Sequence, residues 1–510
     1  MSLTTSIYKI VSKTTLIELE KMRLYPNIFQ RKIFDNLISS GKNTLFGEEH
    51  NLKNITDYKA FQKIIPIREY NDFEKYINRC RKGERNILWN SPIKWFAKSS
   101  GTSSAKSKFI PITEQSLNSC HFSGMKKMLA TYVNNNPKTK IFDGNALTLG
   151  GSIQVDEIGN GKSIYGDLSA ILLKNSPFWV EHRRVPRLKT ALLADFERKV
   201  EIMCRVANKY NVTNFSGVPS WNLALLNRIL KHKGKSNILE IWPNLELFMH
   251  GGISFDPYRE QFKKIIPSNS MNYMENYNAS EGYFAFQDDP KDSSLLLLLN
   301  NGIFYEFIPM DNLHLLNENR WDIAIPIEEV KTDINYAMVI TTNGGLWRYL
   351  IGDCVKFTSI NPYKIIITGR TQLFINAFGE ELMINNAEQA LAKTINICDC
   401  SINNYTVAPI FFNNKTVGTH QWIIEFDKYP SDLSKFIKEL DNQLSLLNSD
   451  YEAKRKNSVT MSEPVVTPVK QGTFYKWMEK RGKLGGQNKV PRLYPKRDYV
   501  DELLSISLKE

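Results

Sequence analysis

A run of small and hydroxyl-bearing residues between two strand-like segments is the sharpest chemical feature of the sequence. It extends from Ser99 to Ser104, reads Ser-Ser-Gly-Thr-Ser-Ser, and is followed by Lys106 and Lys108. Backbone N–H groups and hydroxyls in such a loop can converge on phosphate oxygens. A flexible serine-rich loop has the same composition, but the flanking strands and the two lysines favour an anion site.

Two further segments place a carboxylate beside a strand-like run. Residues 277–282 read Tyr-Asn-Ala-Ser-Glu-Gly and lead into the apolar run 283–286. Glu281 can hold Mg²⁺ there, as carboxylates commonly do in nucleotide sites. Residues 349–353 read Tyr-Leu-Ile-Gly-Asp, and Asp353 can accept hydrogen bonds from ribose hydroxyls. A solvated glutamate and an aspartate in a turn are the structural alternatives.

Three other motifs are incomplete. Residues 161–163 end like a phosphate-binding P-loop, but Asp156 stands where that motif needs its first glycine. His250-Gly251-Gly252 is similar to an esterase oxyanion loop, yet the chain has no G-x-S-x-G elbow. Cys398-x-Cys400 has no second pair and H-E-x-x-H does not occur, so catalytic zinc is not expected.

The elements that must position these residues alternate between helix and strand. Helical spacing of apolar residues dominates the first ninety positions. Strands are predicted at 87–89, 93–96 and 109–112, and Thr113 is suited to cap a helix that runs to about Tyr132. This alternation continues along the chain and predicts an α/β fold with parallel and antiparallel portions.

Later signals divide the chain into two parts. A helix from Ser220 should end near Gly234, and Asn343-Gly344 predicts a hairpin. Beyond Gly369-Arg370 a helix, two strands and another helix follow, at 385–394, 405–412, 421–426 and 432–447.

We therefore predict a large N-terminal domain of mixed β-sheets flanked by helices, over residues 1–370. A small, mobile α+β domain is predicted over residues 371–510.

The composition excludes several classes of protein. The 510 residues are 42% hydrophobic and 23% charged, which is ordinary for globular domains and excludes a disordered tail or a coiled-coil rod. Six cysteines are too few for a disulfide framework, and the longest apolar run, 295–299, cannot span a membrane. We expect a cytoplasmic protein without a membrane partner. The net charge of +13 suits nucleic acid or a polyanion such as ATP, and its spread along the chain argues against nucleic acid.

Five motifs in this order resemble the adenylate-forming superfamily, and in detail the auxin-responsive-promoter (Gretchen Hagen) family of acyl acid–amido synthetases. They are the Ser99–Ser104 run with Lys-Phe-Ile-Pro at 108–111, Tyr-Asn-Ala-Ser-Glu at 277–281, Tyr-Leu-Ile-Gly-Asp at 349–353, Gly369-Arg370, and Gly-Gly-Gln-Asn-Lys-Val-Pro-Arg at 485–492. Asn278, Ala279 and Leu350 depart from the family pattern. The abundance of Asn, Lys and Ile indicates a bacterial member.

The resemblance implies a ligase that uses ATP and Mg²⁺. A carboxylic acid would attack the α-phosphorus of ATP, giving an acyl-adenylate and pyrophosphate. An amine, expected to be an amino acid, would then attack the activated carbonyl and release AMP. Transfer to a thiol such as coenzyme A is the alternative within the superfamily, and a basic nucleic-acid-binding protein is the alternative outside it. A monomer is expected.

The resemblance also implies roles for individual residues. The β- and γ-phosphates would be held by Ser99, Ser100, Gly101, Thr102 and Ser103. The AMP portion would lie along Asn278, Ala279, Ser280 and Glu281, with Glu281 also binding Mg²⁺. Asp353 would bind the ribose with Arg370 nearby, and Lys489, on the small domain, would stabilise charge on the α-phosphate. Candidates for an apolar wall around the acid are Val218, Trp221 and Tyr283, for which core packing is the alternative.

Overall fold

Two units make up the fold seen in a computed structural model of the chain. The structure describes residues 3–99, 108–158, 161–371, 375, 377–378, 380, 382–410, 418–455, 461–484 and 490–507. The first unit comprises Met1–Val218, Leu225–Gly252 and Pro267–Ile366, and the second comprises Pro219–Ala224, Ile253–Ile266 and Ile367–Glu510. The boundary at residue 370 expected from the sequence stays a prediction.

Helices of the first unit cluster at its N-terminus and between its strands. They are α1 (Leu3–Leu24), α2 (Pro26–Gly41), α3 (Leu45–Glu49), α4 (Tyr58–Ile64), α5 (Tyr70–Arg81), α6 (Glu114–Ser116), α7 (Ser123–Asn135), α8 (Leu168–Lys174), α9 (Phe178–Arg183), α10 (Leu188–Ala191), α11 (Phe196–Val206) and most of α12 (Pro219–Lys233). A π-helix over Leu117–Phe122 joins α6 to α7. Short 3₁₀ turns occur at Leu52–Asn54, Ala207–Lys209, Ile238–Glu240, Met310–Glu318, Trp321–Ile323 and Ile327–Glu329.

The strands of this unit form two sheets. They are β1 (Trp95–Ser99), β2 (Lys108–Ile112), β3 (Asn145–Thr148), β4 (Ile153–Ile158), β5 (Gly161–Gly166), β6 (Arg184–Val185), β7 (Val212–Gly217), β8 (Leu247–Gly251), β9 (Asn272–Ala279), β10 (Gly282–Phe286), β11 (Leu295–Leu297), β12 (Ile303–Pro309), β13 (Ile325–Pro326), β14 (Asn335–Thr342), β15 (Tyr349–Ile360) and β16 (Tyr363–Arg370), the last of which runs into the second unit. The smaller sheet has the order β2-β1-β5-β4.

The larger sheet is mixed, as the sequence predicts. Its twelve strands have the order β13-β12-β14-β15-β16-β11-β10-β9-β8-β7-β3-β6. The run from β6 to β9 is parallel, whereas the pairs β9–β10, β10–β11 and β12–β14 are antiparallel. Every residue of β10 is buried. The predicted α/β fold class is confirmed.

The second unit contains a separate small sheet. Its strands β17 (Ser401–Ile410), β18 (Thr419–Lys428) and β19 (Val465–Val469) pair in that order. Its helices are α13 (Arg259–Ile265), α14 (Ile384–Ile397), α15 (Leu433–Leu447), α16 (Ser449–Arg455), α17 (Thr473–Lys480) and α18 (Asp498–Ser507), with a 3₁₀ turn at Asp256–Tyr258. A hydrophobic core lies between the sheet and α14 and α15, and includes Leu391, Trp422 and Leu440.

Local sequence signals account for several element ends. The Thr113 hydroxyl accepts a hydrogen bond from the Ser116 N–H at 2.9 Å and caps α6, as predicted. Gly234 ends α12 with φ of 63°. The strand predicted at 87–89 is wrong, because this buried segment lies outside the named strands. The Ile87 carbonyl instead accepts from the Phe46 N–H of α3 at 3.0 Å.

Candidate functional site

The carboxyl ends of parallel strands define one edge of the large sheet. In register, Gly217 of β7 lies opposite His250 of β8, and His250 lies opposite Glu275 of β9. Parallel strands end at the same edge, so the ends of β7, β8 and β9 are neighbours. In open α/β sheets, ligands bind outside this edge. The His250-Gly251 segment therefore borders the candidate site, although its own motif is incomplete.

A tight hairpin brings the Glu281 motif to this edge. Ala279, at the end of β9, pairs with Gly282 at the start of β10, which leaves Ser280 and Glu281 as the two residues of the turn. Ser280 is buried and Glu281 is half-buried at the tip. Asn278 and Ala279 thus belong to a strand rather than to a loop. The hairpin fixes the backbone of the predicted nucleotide segment.

The hairpin and the Asp353 motif meet in space. The Tyr277 hydroxyl of β9 donates to the Asp353 carboxylate of β15 at 2.5 Å. Gly352, directly before Asp353, has φ of 86°, a conformation that favours glycine. Two motifs that lie 76 residues apart in the chain are therefore joined by one hydrogen bond. Tyr277 was not among the predicted site residues, although it opens the 277–281 motif.

A buried histidine holds the neighbouring residue of the same strand. His121, in the π-helix, places Nδ1 3.1 Å from Oδ1 of Asn278. Since that oxygen accepts, Nδ1 carries the proton. Burial lowers the pKa of His121 to about 4, so the ring is neutral near pH 7. Its Nε2 is buried and has no hydrogen-bond partner among the described residues. π-Helical turns are frequent at functional sites.

The π-helix and the following helix α7 both pack on the hairpin. The Tyr283 N–H of β10 donates to the Cys120 sulfur at 3.2 Å, and a Cβ on Gly124 would lie 2.3 Å from the Tyr283 ring. The Tyr283 hydroxyl donates to Met128 Sδ at 3.0 Å. Tyr283 is thus a core residue, the alternative that the sequence left open. Its role in an acyl wall stays a prediction.

The other two acyl-wall candidates lie at one helix end. Val218 precedes α12 in the N-cap position and belongs to the first unit, whereas Trp221 belongs to the second. Val218 also directly follows Gly217, so its backbone lies at the carboxyl edge of the sheet. Both assignments stay predictions.

Only the base of the predicted phosphate loop is described. Ser99 ends β1 and lies opposite Lys108 at the start of β2. The Tyr70 hydroxyl accepts from the Phe109 N–H at 2.8 Å, and the Arg81 guanidinium lies 3.9 Å from the centre of the Phe109 ring. Helix α5 thus holds the strand that follows the loop. Ser100, Gly101, Thr102 and Ser103 lie outside the described residues.

The remaining predicted residues are in the second unit. Arg370 is the last residue of β16. Lys489 and the glycines and Gln487 before it lie outside the described residues, whereas Arg492 is described. The Arg492 guanidinium donates to the Tyr258 hydroxyl at 2.7 Å and to the Tyr405 carbonyl at 3.0 Å. This end of the predicted Lys489 motif is therefore anchored within its own unit.

Comparison with solved structures assigns the fold to the adenylate-forming ligases. The structure matches that of the GH3.15 acyl acid amido synthetase with a TM-score of 0.78 and 17% identity, over 97% of this chain and 96% of the other. It also matches 2-hydroxyisobutyryl-CoA ligase, in the postadenylation state, with a TM-score of 0.60 and 11% identity, over 94% and 92% of the two chains. The fold inferred from the order of the motifs is confirmed.

The chain belongs to the GH3 family. The models of the family's N-terminal, central and C-terminal domains match residues 15–271, 296–370 and 384–498. The indole-3-acetic acid-amido synthetase GH3.4 of Arabidopsis thaliana is 23% identical over 93% of this chain and 90% of its own length. The jasmonoyl–L-amino acid synthetase JAR6 of Nicotiana attenuata is 24% identical over 94% and 93%. The predicted family and enzyme class, an amido synthetase acting as a ligase, are confirmed.

Proposed function

We propose that the protein uses ATP to adenylate a carboxylic acid and then transfers the acyl group to an amino acid, releasing AMP. The contact between Tyr277 and Asp353 carries this proposal, because it joins two nucleotide motifs at the carboxyl edge of the sheet. Family membership supports the same reaction class. A carboxylate is a poor electrophile, so the enzyme's main task is to position the reactants and to neutralise phosphoryl charge.

The AMP portion would bind at the hairpin and at Asp353, both of which the structure describes. Asp353 accepts from Tyr277, and its half-buried carboxylate is the kind of group that accepts hydrogen bonds from ribose hydroxyls. The backbone of Asn278 to Glu281 is held in the hairpin and offers a fixed surface for the nucleotide. We assign Arg370 to the same end of the nucleotide.

Glu281 fits a Mg²⁺ ligand that works together with the substrate. Within the described ranges, no group of three or more His, Cys, Asp or Glu side chains could hold a metal. Mg²⁺ in nucleotide sites is bound through one or two carboxylates plus substrate phosphates. A single carboxylate at an accessible hairpin tip matches that pattern. When bound, Mg²⁺ would neutralise charge on the phosphate oxygens.

The phosphate loop and Lys489 complete the proposal. The hydroxyls and backbone of Ser99–Ser103 would hold the β- and γ-phosphates. Lys489 would stabilise charge on the α-phosphate during adenylation, and a compact ammonium on a flexible stem suits a group that must arrive and leave. Both assignments rest on the motifs.

We place the reaction in the cytoplasm, without nucleic-acid or membrane partners. All six cysteines are buried and unpaired with one another, as is usual in reducing compartments. No helix in the described part of the chain has the length and apolar character that a bilayer crossing demands. The named relatives act on indole-3-acetic acid and form jasmonoyl conjugates, so we propose an acid with a compact apolar body.

The test is a pyrophosphate-release screen on the full chain over a panel of carboxylic acids, followed by amino acids. We expect acid-dependent pyrophosphate release, and AMP release that needs an amino acid but no coenzyme A. AMP release that needs coenzyme A would replace the amine with a thiol acceptor. Absence of pyrophosphate release with every acid would contradict the proposal.

A further inference from the structure

Helix α1 is apolar on two opposite faces. Its inner face packs into the first unit, where Leu19 and Met22 are buried. Its outer face carries large apolar side chains that are more than half exposed, namely Ile7 at 54%, Ile10 at 67%, Val11 at 59%, Ile17 at 56% and Leu24 at 61%. Amphipathic surface helices normally expose a polar face, and an apolar patch of this length marks an interaction surface.

The spacing of the outer residues is that of a helix-pairing seam. Positions 7, 10, 14, 17, 21 and 24 alternate steps of three and four, and hold Ile, Ile, Thr, Ile, Lys and Leu. This is the a/d pattern by which two helices interlock their side chains. We call these six positions the α1 seam. The inner face of α1 already packs on its own unit, so the α1 seam is a second, independent packing surface.

We propose that the α1 seam pairs with the α1 seam of a second copy of this chain, in antiparallel orientation. Such a two-fold contact is isologous. It would place Ile7 against Leu24, Ile10 against Lys21, and Thr14 against Ile17 of the second copy, each pair occurring twice. Lys21 can extend its ammonium past an isoleucine to solvent.

Charges beside the seam favour this orientation. Lys13 and Glu20 flank the α1 seam on the same side, one turn on either side of its centre. Antiparallel pairing sets Lys13 against Glu20 of the second copy, twice by symmetry, and flanking charges of this kind set orientation. Parallel pairing would instead stack Lys21 on Lys21. Glu20 also contacts Arg23 at 3.0 Å, an exposed pair that contributes little.

The same charges argue against a lipid surface as the occupant. A helix that binds anionic membranes carries an excess of basic residues on its polar face. The exposed charges of α1 balance, with Lys13 and Lys21 against Glu18 and Glu20. Of its two half-buried cations, Lys9 and Arg23, Arg23 is paired with Asp288 at 2.8 Å. Mixed charge is typical of helix–helix pairing instead.

The size of the seam sets the expected affinity. Two such helices would bury on the order of 1,000 Å² in total, the lower end for specific interfaces. We therefore expect a reversible dimer that forms in the micromolar range. This differs from the monomer expected from the sequence, and it does not depend on the proposed reaction.

Sedimentation velocity over a range of micromolar concentrations tests the association. We expect the wild-type protein to shift from monomer to dimer, and the double variant Ile10→Glu, Ile17→Glu to remain monomeric. Ile360→Glu is the matched control, since Ile360 is 48% exposed at the end of β15, and it should dimerise normally. Circular dichroism establishes that each variant is folded. A wild-type monomer throughout, or a dimer unaffected by the double variant, would overturn the proposal.

Disulfide trapping tests the orientation. All six native cysteines are buried, so only an introduced, exposed cysteine is available to form a disulfide between chains. Chains with Thr14→Cys, mixed with tagged chains carrying Ile17→Cys, should form the mixed disulfide preferentially. Disulfides only between identical chains would overturn the antiparallel arrangement. Lys13→Glu should weaken the dimer, and Lys13→Glu with Glu20→Lys should restore it.

Flotation with lipid vesicles tests a membrane surface as the alternative partner of the α1 seam. Flotation with phosphatidylserine-containing vesicles should leave the wild-type protein in the soluble fraction. Vesicle binding by a protein that stays monomeric in solution, and that Ile10→Glu with Ile17→Glu abolishes, would assign the α1 seam to a membrane and overturn the dimer.

Discussion

Two polar clusters in the first unit, both attached to strand β15, differ in how deeply their charged groups are buried. The Arg348 cluster (Arg348, Glu306, Tyr58 and Gln62) adjoins the start of the strand. Arg348 and Glu306 are fully buried, and the guanidinium donates to Glu306 at 2.8 and 3.0 Å and to the Ile65 carbonyl at 2.6 Å.

The hairpin cluster (His121, Tyr277, Asn278, Glu281 and Asp353) uses the same strand five residues later. Here Glu281 and Asp353 are only half-buried, and Nε2 of His121 has no hydrogen-bond partner among the described residues. Fully buried polar groups that bond to one another stabilise a fold, whereas half-buried carboxylates at a sheet edge are accessible to a ligand. We therefore expect substitutions in the first cluster to change stability, and the second cluster is where we propose that the nucleotide binds.

Arg348→Met should give the largest effect on stability. Removing the guanidinium leaves Glu306 as an uncompensated buried charge, which costs about 3–5 kcal/mol of unfolding free energy. Urea denaturation followed by tryptophan fluorescence measures it. Arg320→Met is the control, because its pair with Asp322 is exposed and should contribute little. Arg348→Met combined with Glu306→Leu should recover most of the lost unfolding free energy. Equal destabilisation by Arg348→Met and Arg320→Met would remove the contrast between the buried and the exposed ion pair.

Glu281→Gln should affect activity rather than stability. Loss of one electrostatic group that acts on the reacting phosphates typically slows a reaction by about 10²–10³-fold. Acid-dependent pyrophosphate release should fall by this factor, with a higher Mg²⁺ concentration needed for half-maximal rate, while the urea midpoint stays unchanged. Glu329→Gln, an exposed carboxylate elsewhere in the unit, should leave both quantities as they are. Unchanged Mg²⁺ dependence in Glu281→Gln would contradict the metal assignment.

His121 should make the protein less stable in acid. Burial lowers its pKa in the folded protein to about 4, below the ordinary histidine pKa of about 6.5. Between these pH values the unfolded chain binds a proton that the folded chain does not, so stability falls as the pH drops from 6.5 to 4. The contribution is on the order of 3 kcal/mol. Urea titrations at several pH values should show a shallower acid loss for His121→Asn than for the wild type. Parallel curves would mean that His121 does not titrate in this way.

Substitutions of Asp353 and Tyr277 should give the smallest effects, and these should be on nucleotide affinity alone. Asp353→Ala removes charge-assisted bonds to ribose, each worth about 1.5–3 kcal/mol, and Tyr277→Phe removes a neutral donor worth about 0.5–1.5 kcal/mol. Calorimetry should show ATP and AMP weakened by similar factors in each variant, because ribose is common to both. A loss confined to ATP would contradict the ribose assignment.

The features of the fold that the sequence predicts correctly are those encoded by adjacent residues. The Thr113 cap, the Gly234 helix end and the turn at Asn343-Gly344 each depend on a few adjacent residues, and the structure contains all three. The apolar run 87–89 was misassigned because burial alone does not distinguish a strand from an irregular segment.

The contacts that complete the site could not be predicted. His121 meets Asn278 across 157 residues of chain, and no local pattern marks a histidine within a helix as the partner of a distant strand. The Tyr277–Asp353 bond depends in the same way on how the sheet is assembled. The motifs indicate candidate residues, and the sheet topology determines which of them touch.

Strand β15 also links the proposed nucleotide site to the stability of the core, two properties that are usually adjusted separately. Arg348 immediately precedes it and Asp353 lies within it, so the carboxylate proposed to bind ribose is attached by a short, stiff piece of backbone to a buried ion pair. The proposed nucleotide site therefore has little freedom to change its geometry before the core itself unfolds. On warming, nucleotide affinity should hold nearly constant and then vanish together with the tertiary structure, so that the upper temperature limit of the enzyme is set by the melting of its core.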